Sequence, residues 1–225
     1  MPRRSSSEMR MSGKKGKGML ERVDQIDFNE LYVLLLDATR KAFTAVKEAH
    51  PSETFYAFVL HYDHNHDGYI ILPSCNSEEA HMRRWELTET DRVHQTLEWS
   101  YSRWSCDDWR YYRWGRQYFN SVSQWISLNI YRTLGRADNT EIAAVMTSLE
   151  EGVTTTCLNV MKALDQEKFF GQGEARERVV LNIVSENQSE IENISHVYLL
   201  NPPSVYERWT IEMELYLQAH SFFNW

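Results

Sequence analysis

The sequence predicts an α+β fold, a single domain in which a small, mostly antiparallel sheet of about four strands is covered by several helices. Three observations point there. An amphipathic helical period runs through Leu31, Leu34, Leu35, Ala38, Ala42 and Val46. A strand, a turn and a second strand follow between Thr54 and Leu72, and helical periods fill most of the chain from Val122 onward. No repeat or linker interrupts residues 24–220, so these elements belong to one domain. An N-terminal tail of residues 1–23 and a C-terminal tail of residues 221–225 flank it.

Asp27 with Glu30 makes a capping box at the start of the first helix, and His50-Pro51 closes it. Thr54 to Tyr62 mixes aromatic, β-branched and aliphatic residues without a polar face, which reads as a central strand. Asp67-Gly68 supplies a hairpin turn pair, Tyr69 to Leu72 returns as the second strand, and Pro73 ends it. Asn76 with Glu79 is a further capping box, opening a helix from Ser77 to about Thr88 with Trp85 turned inward. Leu97, Trp99 and Tyr101 alternate with polar residues, as in a strand with one face in water.

Ser105 with Asp108 reads as the next helix start. A helix with Trp125, Ile126 and Ile130 inward closes at Gly135. Another runs from about Thr140 to Leu164, with Gly152 as a point of interruption. Arg178 to Val184 is strand-like, and a helix starting at Ser189 stops at Asn201-Pro202-Pro203. The last helix spans about Pro203 to Leu217 with Val205, Trp209, Met213 and Tyr216 on one side.

Three cysteines, Cys75, Cys106 and Cys157, are an odd number without CxxC spacing. They argue for a reducing cytoplasm and against a disulfide framework or a structural zinc site. No apolar run approaches the roughly 18 residues of a membrane span, and no hydrophobic signal core opens the chain. A soluble cytoplasmic protein without a membrane partner is expected.

Residues 1–22 carry seven Lys or Arg and two Glu, a net charge of +5, within a chain whose net charge is −8. The tail should be disordered, and the acidic body disfavours nucleic acid as a partner of the folded part. Acidity suits a basic partner or simply solubility.

Asp63-His64-Asn65-His66-Asp67-Gly68 matches the opening of a calcium loop, but Ser74 stands where a bidentate Glu is required and the flanks are strands. His61, Asp63, His64, His66 and Asp67 are therefore the candidate transition-metal ligands at the hairpin tip, with a polar turn as the plainer reading. Cys75, just ahead of a helix, is a candidate nucleophile, with His50, His61 or His81 as base and Glu78 and Glu79 as candidate carboxylates. No P-loop, G-x-G-x-x-G, G-x-S-x-G or H-E-x-x-H occurs, so no cofactor is expected, and whether the chain is an enzyme stays open.

The densest aromatic stretch interleaves rings with arginines. Trp104, Trp109, Arg110, Tyr112, Arg113 and Trp114 are the candidate protein-binding residues. The same stretch suits core packing, with arginines covering its outer side.

The blocks ELYVLLLDATRKAFTAVKEAHPSETFYAFVLHY, PSCNSEEA, RWSCDDW, KALDQEKFFGQGEARERVVLNIV and LNPPSVYERW, in that order, resemble the bacterial family of domain of unknown function 4303. The resemblance implies a one-domain bacterial cytoplasmic protein of unassigned activity, and it brings no catalytic residue with it. The acidic body, the aromatic stretch and the absence of any catalytic motif lead to the expectation of a non-enzymatic protein-binding module, of the immunity type that caps a toxin. The alternatives are a small hydrolase or transferase using Cys75 or carboxylates, and a metal-binding protein at the hairpin.

Overall fold

A computed structural model describes residues 26–65, 68–85, 99, 102–134, 142–185 and 190–223. Helix α1 (Phe28–Ala49) starts where expected, with the Asp27 carboxylate accepting the Asn29 N–H at 3.0 Å. Glu30 does not close the box. Its carboxylate accepts the Trp125 indole N–H at 2.8 Å and ties α1 to a later helix.

Strands β1 (Phe55–Asn65) and β2 (Gly68–Ser77) pair antiparallel, and β3 (Val180–Ser185) joins the other side of β1 in parallel. The sheet order is β2-β1-β3. β1 is therefore central, as its composition predicts, and its residues from Phe55 to Tyr62 are buried. The sheet is mixed and three-stranded among the described residues. The fourth strand expected around Trp99 is absent there, because Trp99 is helical, while Leu97 and Tyr101 lie outside the described residues.

Three further expectations shift by a few residues for identifiable reasons. The hairpin closes at Asn65↔Gly68, so Gly68 is already strand and the intervening pair is 66–67. Pro73 lies within β2, opposite Leu60. β2 is an edge strand, and the N–H of Cys75, two residues on, points outward to the Tyr111 carbonyl at 3.3 Å. Position 73 shares that outward direction, so the missing N–H breaks no bond to β1. Asn76 likewise remains in the strand, and Ser77 caps α2 (Glu78–Trp85), its Oγ accepting the Ala80 N–H at 3.0 Å.

After α2 the chain crosses the sheet through short turns at Cys106–Asp108 and Arg116–Phe119, where the sequence suggests a longer helix from Ser105. Then follow α3 (Asn120–Leu134), α4 (Ile142–Gln166), the single turn α5 (Glu174–Glu177), α6 (Glu190–Leu200) and α7 (Pro203–Phe223). Gly152 does not interrupt α4. A Cβ there would sit 2.2 Å from the Phe28 ring, so glycine lets the two helices approach closely.

One face of the sheet, with Phe58, Leu60, Tyr62, Leu181 and Ile183, meets α1, α3 and α4 to form the main core. A register shift between Phe55 and Ala57 turns Tyr56 and Ala57 to the other face together. Gly115, at φ 79°, lets the crossing segment turn against α1, where an added Cβ would lie 2.8 Å from that of Ala42. Gly115→Ala is expected to cost about 2 kcal/mol, from left-handed backbone strain plus overpacking, read as a lower denaturant midpoint at unchanged slope.

Candidate functional site

Trp104, Trp109 and Tyr112 of the aromatic stretch settle on the second face of the sheet, while Tyr111 and Phe119 enter the main core. Arg103 anchors the second-face group. Its guanidinium makes a bidentate pair with Glu78 at 2.7 and 2.8 Å, reaches Glu212 of α7 at 3.0 Å, and lies 4.0 Å over the Tyr56 ring. The Arg103 carbonyl accepts the Tyr56 hydroxyl and the Trp109 indole N–H, both at 2.9 Å. Burial opposes the charge of Glu78, but Arg103 outweighs it and holds the carboxyl below the usual range.

Beneath this segment lies a cavity of about 240 Å³. Ala57, Val59, Val180 and Val184 form its floor, and Trp104 and Trp109 face Trp209 and Met213 around it. Its polar lining includes His61, Asn182 and Asp107. Cys106 also borders it, but burial and the neighbouring Asp107 carboxylate push that thiol up to about 12, so it is no nucleophile at neutral pH.

The candidate protein-binding residues divide between core and surface. Trp109 is 5% exposed and packs on Tyr56, while Trp104 and Tyr112 are half-buried against the same cluster. Arg113 is half-buried, with its guanidinium 4.6 Å over the Tyr112 ring. Trp114 is 40% exposed, and Arg110 is exposed. Arg116 and Tyr118 extend this outer strip.

The candidate nucleophile is enclosed. Cys75 sits in β2 facing the main core, 1% exposed, and burial followed by the charge of Glu53 pushes its thiol well above its ordinary value. The Glu79 carboxylate accepts the Thr54 N–H at 2.7 Å and its hydroxyl at 3.1 Å. Nearby, Glu53 takes hydrogen bonds from Ser77, from Tyr111 at 2.7 Å and from Arg83 at 2.5 Å. Burial raises its pKa, yet those donors together hold it below the normal carboxylate value. This cluster joins the start of β1, the end of β2 and the crossing segment, and its hydroxyls are spent on structure.

His81 lies 1% exposed with neither ring nitrogen hydrogen-bonded among the described residues, its ring 4.1 Å from that of Trp99. Burial and the Arg103 charge lower its pKa from 6.5 to about 4. The unfolded chain therefore takes up the proton first as pH falls. The contribution of neutral His81 is complete above about pH 6.5 and is lost toward pH 4. Relative to His81→Phe, the natural protein is expected to lose about 2 kcal/mol of stability on going from neutral pH to the folded-state value. Urea melts of both chains across that range measure it, and parallel curves would refute it.

Of the candidate metal ligands, His61 is buried on the second face, its ring 5.8 Å from that of Tyr112. Asp63 and His64 pair along β1 with Ile70 and Tyr69, but their side chains, and His66 and Asp67 altogether, lie outside the described residues. Among the described residues no group of three or more His, Cys, Asp or Glu could hold a metal ion. No helix among them is long and apolar enough to cross a membrane.

Sequence reasoning missed the device that finishes the sheet. β3 has an outer edge, and its outward backbone groups are bonded by side chains. Asn201 pairs with both the N–H and C=O of Leu181 at 2.9 and 2.7 Å. Ile183 donates to Asn182 Oδ1 at 2.8 Å, and its carbonyl meets His196 Nδ1 at 2.9 Å. Asn193 bonds the N–H and C=O of Ser185 at 3.1 and 3.3 Å. Arg176, 7% exposed, braces the end of this edge through Asp165, Val179, Leu200 and Asn201. The only sequence signal at this corner is Asn201-Pro202-Pro203, which reads as a helix stop and gives no hint of the strand it serves.

The family described as Domain of unknown function (DUF4303) matches the chain over residues 35–202. No curated protein and no solved structure matches it.

Proposed function

Given that the chain belongs to the DUF4303 family, we propose that it is a non-enzymatic protein-binding module of the bacterial cytoplasm, working as immunity-type proteins do, by capping a partner. One contrast supports this reading. The candidate groups for nucleophilic or carboxylate chemistry, Cys75, Glu78 and Glu79, with Ser77 and Glu53 beside them, are buried or committed to internal bonds. Arg110, Trp114, Arg116 and Tyr118 instead lie exposed along one short stretch. An exposed tryptophan flanked by arginines is the residue set that dominates protein interfaces. Trp114 packs edge-on against His50 and Tyr111, 5.7 Å from each ring, so the surface is preformed and little ordering is needed on binding. Three free cysteines suit a reducing compartment.

Co-purification of the untagged chain from native extract should recover a stoichiometric protein partner. The double variant Arg110→Ala, Trp114→Ala should lose it by at least about ten-fold, with circular dichroism and the unfolding midpoint unchanged. Equal recovery by both chains would remove this strip as the binding surface.

A further inference from the structure

The cavity on the second face has the makings of a small-molecule site, and its chemistry is selective. Its volume of about 240 Å³ exceeds the roughly 150 Å³ of an apolar protein cavity known to accept benzene. A two-ring ligand fits that difference. Valine and alanine side chains on the floor and three indoles around the sides favour a flat, aromatic body over a flexible or highly charged one.

The polar groups narrow the class further. Asn182 commits its Oδ1 to the Ile183 N–H, so what it can offer a ligand is its NH₂. That group calls for an acceptor on the ligand. Asp107 is exposed and can only accept, so it calls for an N–H. Among the described residues neither Lys nor Arg lines the cavity, and a phosphate beside Asp107 would meet like charge.

We infer that this cavity binds a neutral two-ring nitrogen heterocycle of the aminopurine type, with a ring acceptor toward Asn182 and the exocyclic amine toward Asp107. Free base and nucleoside share this chemistry, and the nucleotide is disfavoured. The inference is independent of the partner-binding reading, since its test uses the purified chain alone.

Calorimetry and ligand-observed NMR on the full chain, with adenine, adenosine, adenosine monophosphate and indole as probes, decide it. Adenine, with about ten non-hydrogen atoms, is expected to bind with Kd at or below about 1 mM. Indole has the shape without the acceptors and should bind about ten-fold more weakly. Adenosine separates the two sources: binding like adenine would allow the nucleoside, and loss would restrict the site to the free base.

Asn182→Asp keeps an acceptor for Ile183 and removes the NH₂. It should weaken adenine about ten-fold and leave indole unchanged, a split that a merely structural role would not produce. Absence of saturable adenine binding, indole binding as tightly as adenine, the monophosphate binding tightest, or equal loss of adenine and indole in a folded variant would each overturn the inference.

Discussion

Asn201→Ala is expected to lower the unfolding free energy by about 3–4 kcal/mol, because it strands several partly or fully buried groups at once. The Asn201 carboxamide has its full hydrogen-bonding capacity in use. Its NH₂ donates to the carbonyls of Leu181 at 2.7 Å and Val197 at 2.8 Å, and its Oδ1 accepts from the Leu181 N–H at 2.9 Å and from Arg176 at 3.3 Å. In effect the side chain acts as a further strand for one residue of β3. Alanine leaves Leu181 with an unpaired N–H and C=O whose side chain is fully buried, and it removes a partner from the enclosed Arg176. In a chain of this size the thermal midpoint should fall by about 10 °C.

Hydrogen exchange gives a sharper reading than the melt. The Leu181 amide should lose most of its protection while the amides of α1 keep theirs. A bare edge also invites pairing between copies, so self-association of the variant should rise with concentration. A loss below about 1 kcal/mol with the Leu181 amide still protected would show that water replaces the carboxamide without cost.

Arg103→Met is expected to cost about 3 kcal/mol, chiefly by leaving Glu78 without its bidentate partner, Glu212 with the more distant Arg208 at 3.9 Å, and Tyr56 without the guanidinium stacked on it. Methionine retains the apolar stem, so the loss reports the charged head. The Glu78 side chain is 43% exposed against 15% for Arg103, so water screens part of the loss, and the full penalty for a deeply buried pair does not apply. Arg103→Lys should recover less than half, since an ammonium cannot make the bidentate pair with Glu78 and reach Glu212 together.

The double-mutant cycle with Glu78→Gln should show coupling of about 1–2 kcal/mol. Coupling near zero would mean that Arg103 acts through packing alone. Since Arg103 also fixes Trp104 and Trp109, the variant should show altered tryptophan fluorescence at pH 7 before any unfolding.

Much of the helical frame was legible in the sequence because its signals are short-range. The cap at Asp27, the 3.6-residue period of α1 and the stop at Asn201-Pro202-Pro203 each act within a few residues, and the structure follows all three. The continuous apolar run of β1 marked it as central because a strand buried on both faces has no polar side to alternate with. The alternation around Trp99 misled for the converse reason. A short alternating stretch also suits a helical turn when its tryptophan has a neighbour such as His81 to pack on.

Punctuation residues were ambiguous in the same way. Pro73 ends a strand only if its N–H would face a partner, and Gly152 breaks a helix only if nothing needs its missing side chain. Both conditions depend on neighbours that are remote in the chain.

The amino-acid sequence by itself determined the α+β class, the central strand, most helix limits and the family. Tertiary structure alone decided that Cys75 is enclosed, that Trp109 is buried while Trp114 lies at the surface, and that a cavity opens between β1, β3 and α7. It also decided the bonds of Arg103 to Glu78 and Glu212, 25 and 109 residues away, and of Asn201 to Leu181, 20 residues away. The physical reason is range: caps and periods are set by adjacent turns of one segment, whereas burial and long-range pairing exist only once segments distant in sequence have packed.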